Sequence, residues 1–191
     1  MILEAASPSA VPALLKKARR YRRQLLVMST AGLLTSQRLL RQAQEEGCVV
    51  SIPSGALIGV DGLKAFAGGS LKKVTLTTRK PPRSFGLKPL RKAKVLFEGS
   101  ALKAVRLFPQ NVNVAATVIL AGVSTKKFRV RVIADPTLFR NTHELLAEGK
   151  DGRFLCRAEN LPSENPKTSR LAILSATAAL RQMFQTVHVG T

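Results

Sequence analysis

Apolar positions in the first fifty residues fall into two alternating rhythms. Residues 1–6 form a short apolar run. Val11, Leu14, Leu15 and Ala18 then recur near i, i+3, i+4 and i+7 among basic residues, which predicts an amphipathic helix from Ser7-Pro8 to about Arg23. QLLVMS (24–29) is a compact apolar run of strand length. Thr35 or Ser36 is placed to cap a second helix whose inner side is Leu39, Leu40 and Ala43 and which Gly47 closes; CVVSI (48–52) is a short β-branched run. Strand, helix, strand, helix, strand at this spacing predicts parallel βαβ units.

After Pro53 the texture changes. Residues 53–69 are rich in Gly, Ala and Ser, with a short helix expected near 60–66. KVTLTTR (73–79) alternates as a strand with one polar face. Residues 80–94 carry Pro81, Pro82 and Pro89 among many cations and show no period, so a long loop or hairpin excursion is expected. Ser100 is placed to cap a short helix through Leu107. NVNVAATVILA (111–121) reads as an apolar helix ended by Gly122, FRVRVIAD (128–135) as a half-exposed strand, and 141–147 and 153–159 as two more strands. A last helix runs from about Ser169 to Phe184. The fold class is therefore α/β at the start, followed by α+β with a mostly antiparallel sheet.

The 191 residues suffice for one sizeable core, or a partial domain plus a whole one. Hydrophobic residues at 45% and charged residues at 22% describe a globular chain and not a disordered one. Cys48 and Cys156 match no metal or redox spacing and read as two reduced thiols, so no metal site is expected. Lysines and arginines interrupt every apolar stretch, and the N-terminus has no secretory pattern; a cytoplasmic setting is the expectation. Thirty-one Lys and Arg against eleven Asp and Glu give a formal +20. That excess alone points to a nucleic-acid or other polyanionic partner. The arrangement argues against it: the denser runs, 16–23 and 72–94, lack interleaved aromatics, and the plainer reading is solvated faces.

Several short motifs, in order, resemble those of the L-aspartate dehydrogenase family: EAAS (4–7), STAGLL (29–34), IPSGAL (52–57), TTRKPP (77–82), LFEGSA (96–101), FPQNVNVAAT (108–117), ADP (134–136), NTHE (141–144) and ENPKTS (164–169). Each is weak alone; their collinearity over nearly the whole chain carries the resemblance. It implies a Rossmann-type dehydrogenase with an α+β catalytic domain, divided as a partial nucleotide-binding part at 1–52, a catalytic part at 53–168 and a C-terminal helix at 169–191 packing back on the first part. It also implies hydride transfer from L-aspartate to NAD or NADP, giving iminoaspartate for pyridine-nucleotide synthesis, and a homo-oligomer, a dimer formed through the catalytic sheet. The sequence departs from the family in having no GxGxxG turn to hold a pyrophosphate, so weak or no activity is expected of the chain by itself. A decayed scaffold that binds polyanions or only oligomerises stays open as the alternative.

Oxidising an amino acid at Cα requires a group that accepts a proton from the ammonium, and imidazole suits that role. The resemblance places it at His143 in NTHE; without it, a single histidine on a strand is more often a structural hydrogen-bonder. His188 reads as a solvated tail residue. Glu144 alternates to the opposite strand face, so no His–Glu pair is implied. The resemblance places the nicotinamide against Ala56 and Asn113. Their plainer readings are a tight turn and a helix cap, and Asn111 is the better placed cap of the two asparagines. Arg79, Lys80 and Lys167 lie in family motifs and are the candidate cations for the substrate carboxylates.

Overall fold

The computed structural model describes residues 1–108, 112–164, 168–187 and 189–190, and the side chain of Val112 is also outside the description. Two sheets organise the chain. The first is parallel, in the order β1 (Ile2–Glu4), β2 (Leu25–Val27), β3 (Val50–Ser51). The second holds five strands in the order β5 (Lys94–Ser100), β6 (Phe128–Ala134), β4 (Leu71–Lys80), β7 (Asn141–Gly149), β8 (Gly152–Asn160). There β4 and β6 run parallel and the other neighbours antiparallel. This is the expected order, α/β first and a mostly antiparallel sheet second.

In the first layer, a 3-10 turn at Pro8–Ala10 leads into α1 (Val11–Arg20), which buries Val11, Leu15 and Ala18 against Leu25 and Val27. Lys17, Arg19 and Arg20 crowd its last turn, where the helix dipole favours cations. The helix ends three residues earlier than its periodicity suggests. Arg22 turns the backbone left-handed (φ 47°) and the Arg23 amide donates back to the Ala18 carbonyl, swinging the chain into β2 beside β1. Between β2 and the helix expected after it stands a further short helix, α2 (Ala31–Thr35), and Ser36 joins it to α3 (Gln37–Glu45). Ser36 stands at the N-cap position of α3 but makes no side-chain cap bond, its hydroxyl being buried without a partner among the described residues, and Thr35 belongs to α2. Gly47 does close α3, at φ 73°.

In the second layer, α4 (Val60–Gly68), α5 (Ala101–Leu107) and α6 (Val112–Leu120) cover one face of the five-stranded sheet. Leu63, Ala104, Ala115 and Val118 pack there on Val74, Leu76, Phe128, Val130, Val132 and Leu145. Ser100 caps α5 as expected, accepting from the Lys103 amide. The irregular excursion after β4 lies where expected, at 81–93, but the strand that follows it, β5, which begins at Lys94 and becomes the sheet edge, is not foreseen in the sequence. Its burial does not alternate, so no period marks it in the sequence. The last helix, α7 (Arg170–Gln182), buries no residue completely. Its Ser175 hydroxyl accepts from the Gly55 amide at 2.8 Å. Leu120 at the end of α6 packs on the first core, so α6 spans both layers.

Candidate active site

The inner face of the five-stranded sheet changes character along its length. Residues paired across antiparallel strands share a face, and residues two apart on one strand do too. The row Leu76–Leu145–Cys156 is apolar. The next is Thr78–His143–Ala158, and beyond it lie Lys80 on β4, Asn141 on β7 and Asn160 on β8. The apolar phase that buries Val74 and Leu76 thus continues into Thr78, Lys80, His143 and Asn160, which are all buried although polar. Buried polar side chains without full satisfaction are costly, so this cluster asks for a function.

His143 is 6% exposed. Its Nδ1 lies 2.9 Å from Thr78 Oγ1, which fixes the ring and leaves Nε2 as the nitrogen without a hydrogen-bond partner among the described residues. Burial first, and the Lys80 cation second, lower its pKa to about 4, so it is neutral at physiological pH. Lys80 is 8% exposed, and burial lowers its own pKa. Among the described residues no acidic group lies within ion-pair distance of it. Arg79 behaves oppositely. It projects from the other face and meets Asp135 at 3.6 Å and Glu144 at 3.8 Å. Glu144 also faces away from His143, pairing with Arg157 at 3.4 Å. Of the three candidate cations, only Lys80 shares the histidine's face; Lys167, like Asn111 and His188, lies outside the described residues.

Ala56 sits in the turn in which the Leu57 amide donates to the Ser54 carbonyl, so its tight-turn reading holds locally. Its own carbonyl accepts from Asn160 Nδ2 at 3.2 Å, which ties the turn to the His143 face. Asn113 does not use its side chain on its own helix. Oδ1 accepts from the Ala31 amide at 3.1 Å, and its carbonyl accepts from Thr30 Oγ1 at 2.8 Å. It caps the short helix α2 from across the layer boundary, and its Nδ2 has no hydrogen-bond partner among the described residues. Glu4 completes this junction. Buried at the end of β1, it accepts from the amides of Ala6 and Ser7 through Oε1 and from the Ser29 amide through Oε2, locking the loops after β1 and β2 together. Thr78, Asn160 and Glu4 are not singled out by the sequence. Thr78 stands two residues from Lys80 in the strand alternation, and Glu4 lies in the EAAS motif; nothing in the sequence marks Asn160.

The carboxyl ends of parallel β1 and β2 therefore open toward α6, the place where open α/β sheets hold ligands, and a polar sheet face with a neutral histidine belongs to the second layer. Together they define a Rossmann-like parallel α/β layer joined to an α+β sheet that carries the candidate site. A family model for the C-terminal part of aspartate dehydrogenase matches residues 61–183. The chain is 44% identical, over its whole length and 76% of the relative, to an L-aspartate dehydrogenase of Methanosarcina acetivorans, and 37% identical to that of Bradyrhizobium diazoefficiens over 72% of the latter. The crystal structure of aspartate dehydrogenase from Thermotoga maritima superposes with a TM-score of 0.85, at 30% identity, over 98% of this chain and 77% of that one. The chain belongs to the aspartate dehydrogenase family.

Proposed function

We propose that this chain forms the catalytic part of an NAD(P)-linked L-aspartate dehydrogenase, with His143 as the group that takes a proton from the substrate ammonium. The observation that carries this reading is a buried, neutral imidazole whose Nδ1 is held by Thr78 while Nε2 has no hydrogen-bond partner among the described residues. For Nε2 to accept a proton, Nδ1 must carry the hydrogen and donate it to Thr78 Oγ1. Once the amine is neutral, its lone pair can form the C=N bond as hydride leaves Cα, giving iminoaspartate. The pyridine nucleotide, when bound, accepts that hydride. Its carboxamide end fits this chain: Asn113 Nδ2 is available to donate, and the small Ala56 allows close approach beside the Asn160 tie. A GxGxxG turn, which would hold the pyrophosphate, is not among these 191 residues. Neither NAD nor NADP is favoured by the residues present. The reading carries with it a cytoplasmic setting and use of the product in pyridine-nucleotide synthesis.

The test is aspartate-dependent reduction of NAD or NADP, followed by absorbance. It is run on this chain and on a fusion to the GxGxxG-bearing half of a related dehydrogenase, each with and without His143→Gln. Activity in the fusion that falls at least a hundredfold with His143→Gln is the expected result, in line with general-base contributions of ~10²–10⁴-fold. Silence from both folded proteins would sink the dehydrogenase reading and leave the decayed scaffold, whose signature is steeply salt-dependent binding to any nucleic-acid duplex.

A further inference from the structure

We propose that Lys80 and Asn160 form the amino-acid seat of this site, Lys80 taking a substrate carboxylate and Asn160 Oδ1 its amino group. The inference rests on the site reading above and assigns it two residues whose roles the histidine does not supply. Two buried groups beside His143 lack a partner among the described residues. Lys80, within the sheet face at 8% exposure, has no acidic partner among the described residues. A buried cation without a counter-charge is expensive, and an arriving carboxylate supplies what is missing.

Asn160 is 2% exposed and gives its amide nitrogen to the Ala56 carbonyl. A carbonyl only accepts, so the atom facing it must be the NH₂ group, and the remaining atom is the acceptor Oδ1. That Oδ1 is buried and has no partner among the described residues. A substrate ammonium is the donor it lacks. The dimensions agree. One step past the last paired residues Arg79 and Thr142, Lys80 lies beside Asn141, and Asn141 pairs with Asn160. Two strand spacings make about 10 Å between the two backbones, bridged by a long lysine side chain and a small amino acid. His143 sits one row below, paired with Thr78 and Ala158. The groups facing it from the neighbouring strands are Thr78 and Lys80 on β4 and Ala158 and Asn160 on β8, so Lys80 is the one charge among them. A carboxylate on Lys80 offsets the cation that depresses the imidazole's basicity, so the base strengthens as substrate arrives.

Binding can be read without turnover. The imidazole resonances of His143, assigned by difference with His143→Gln, are titrated with L-aspartate and with succinate, which keeps both carboxylates and lacks the amino group. Wild type is compared with Lys80→Met, which keeps the side-chain length, and with Lys80→Arg. L-aspartate should bind at least tenfold more weakly to Lys80→Met than to wild type, with Lys80→Arg in between. Succinate should bind wild type more weakly than L-aspartate and move the His143 titration upward in wild type but not in Lys80→Met. If Lys80→Met binds L-aspartate as wild type does, or wild type does not bind it, the Lys80 assignment is wrong. Equal affinity for succinate and L-aspartate would remove Asn160 from it. These outcomes are separate from the turnover assay. Lys80-dependent binding without nucleotide reduction in the fusion defeats the dehydrogenase reading alone.

Discussion

A single strand, β4, shows how much one residue's place decides. Its alternation puts Arg79 and Lys80 on opposite faces, one neutralised by Asp135 and Glu144, the other buried beside His143. That distinction is readable: extending the apolar phase of Val74 and Leu76 by two steps reaches Thr78 and then Lys80. His143 itself is legible only through its motif, because a lone strand histidine more often fills a structural role. Asn113 is legible as a site residue but not in the way it works, since its acceptor atom is spent on Ala31 and only long-range contact reveals that. The buried imidazole has a consequence for stability. Its pKa is about 4 in the fold against 6.5 for a solvated imidazole, so the unfolded chain binds the proton more readily across that interval. Stability contributed by neutral His143 is complete above pH 6.5 and drains as pH falls toward 4, by about 3 kcal/mol in total. Urea midpoints measured from pH 7 to 4 should fall for wild type and fall distinctly less for His143→Gln. Asp135, held below its usual range chiefly by the Thr137 hydroxyl, adds its loss only at the acid end of that window. Parallel curves for the two proteins would show that the histidine is not buried neutral.

At the scale of elements, the strands and long helices announce themselves and the joints do not. α1, α3 and α6 show apolar positions at helical spacing, and β7 and β8 lie where their runs suggest. The five-residue α2 is too short to show a period, and it exists because Asn113 caps it from another layer. Its seat is equally non-local. A Cβ built on Gly32 would stand 2.5 Å from the Pro8 carbonyl oxygen and 2.6 Å from Val11 Cγ2. A backbone carbonyl in the 3-10 turn ahead of α1 cannot swing aside as a flexible side chain can. Gly32→Ala should therefore cost about 1–3 kcal/mol by overpacking, read as a lower urea midpoint with unchanged slope. Because the displaced α2 takes the Ala31–Asn113 bond with it, the fusion enzyme should also show a raised KM for the nucleotide. Gly68→Ala is the control, since a Cβ there meets nothing within 4 Å and should be neutral or slightly stabilising. A Gly32→Ala protein as stable as the control would mean that α2 is not seated against the Pro8 turn.

For the molecule as a whole, the unexplained quantity is a formal charge of +20, and its distribution carries the argument. Of eleven acidic residues, Glu98, Glu144, Glu148 and Glu159 all lie on the sheet face opposite His143. They alternate there with Lys73, Arg79, Arg129, Arg131, Arg153 and Arg157, Arg79 also meeting Asp135, and Arg131–Glu98 and Arg157–Glu159 form ion pairs at 3.2 and 2.9 Å. On this strongly cationic chain that face is nearly balanced. It also presents Leu155 at 59% exposure directly paired with Leu146, while α4, α5 and α6 pack on the other side. A mixed-sign, partly apolar face suits an isologous contact, in which cations of one copy can meet acids of the other. The dimer through the catalytic sheet that the family resemblance implies would be formed by this face. The cost is bringing two +20 chains together, and salt screens that long-range repulsion more than it weakens pairs buried in the contact. Sedimentation should therefore give a mass of two 20.6 kDa chains that becomes more complete from ~0.05 to ~0.3 M salt. Leu155→Glu should return the protein to one chain at every salt concentration while leaving the His143 resonances in place. A dimer that dissociates as salt rises would mean that surface ion pairs hold it. A dimer indifferent to Leu155→Glu would place the contact elsewhere on the molecule.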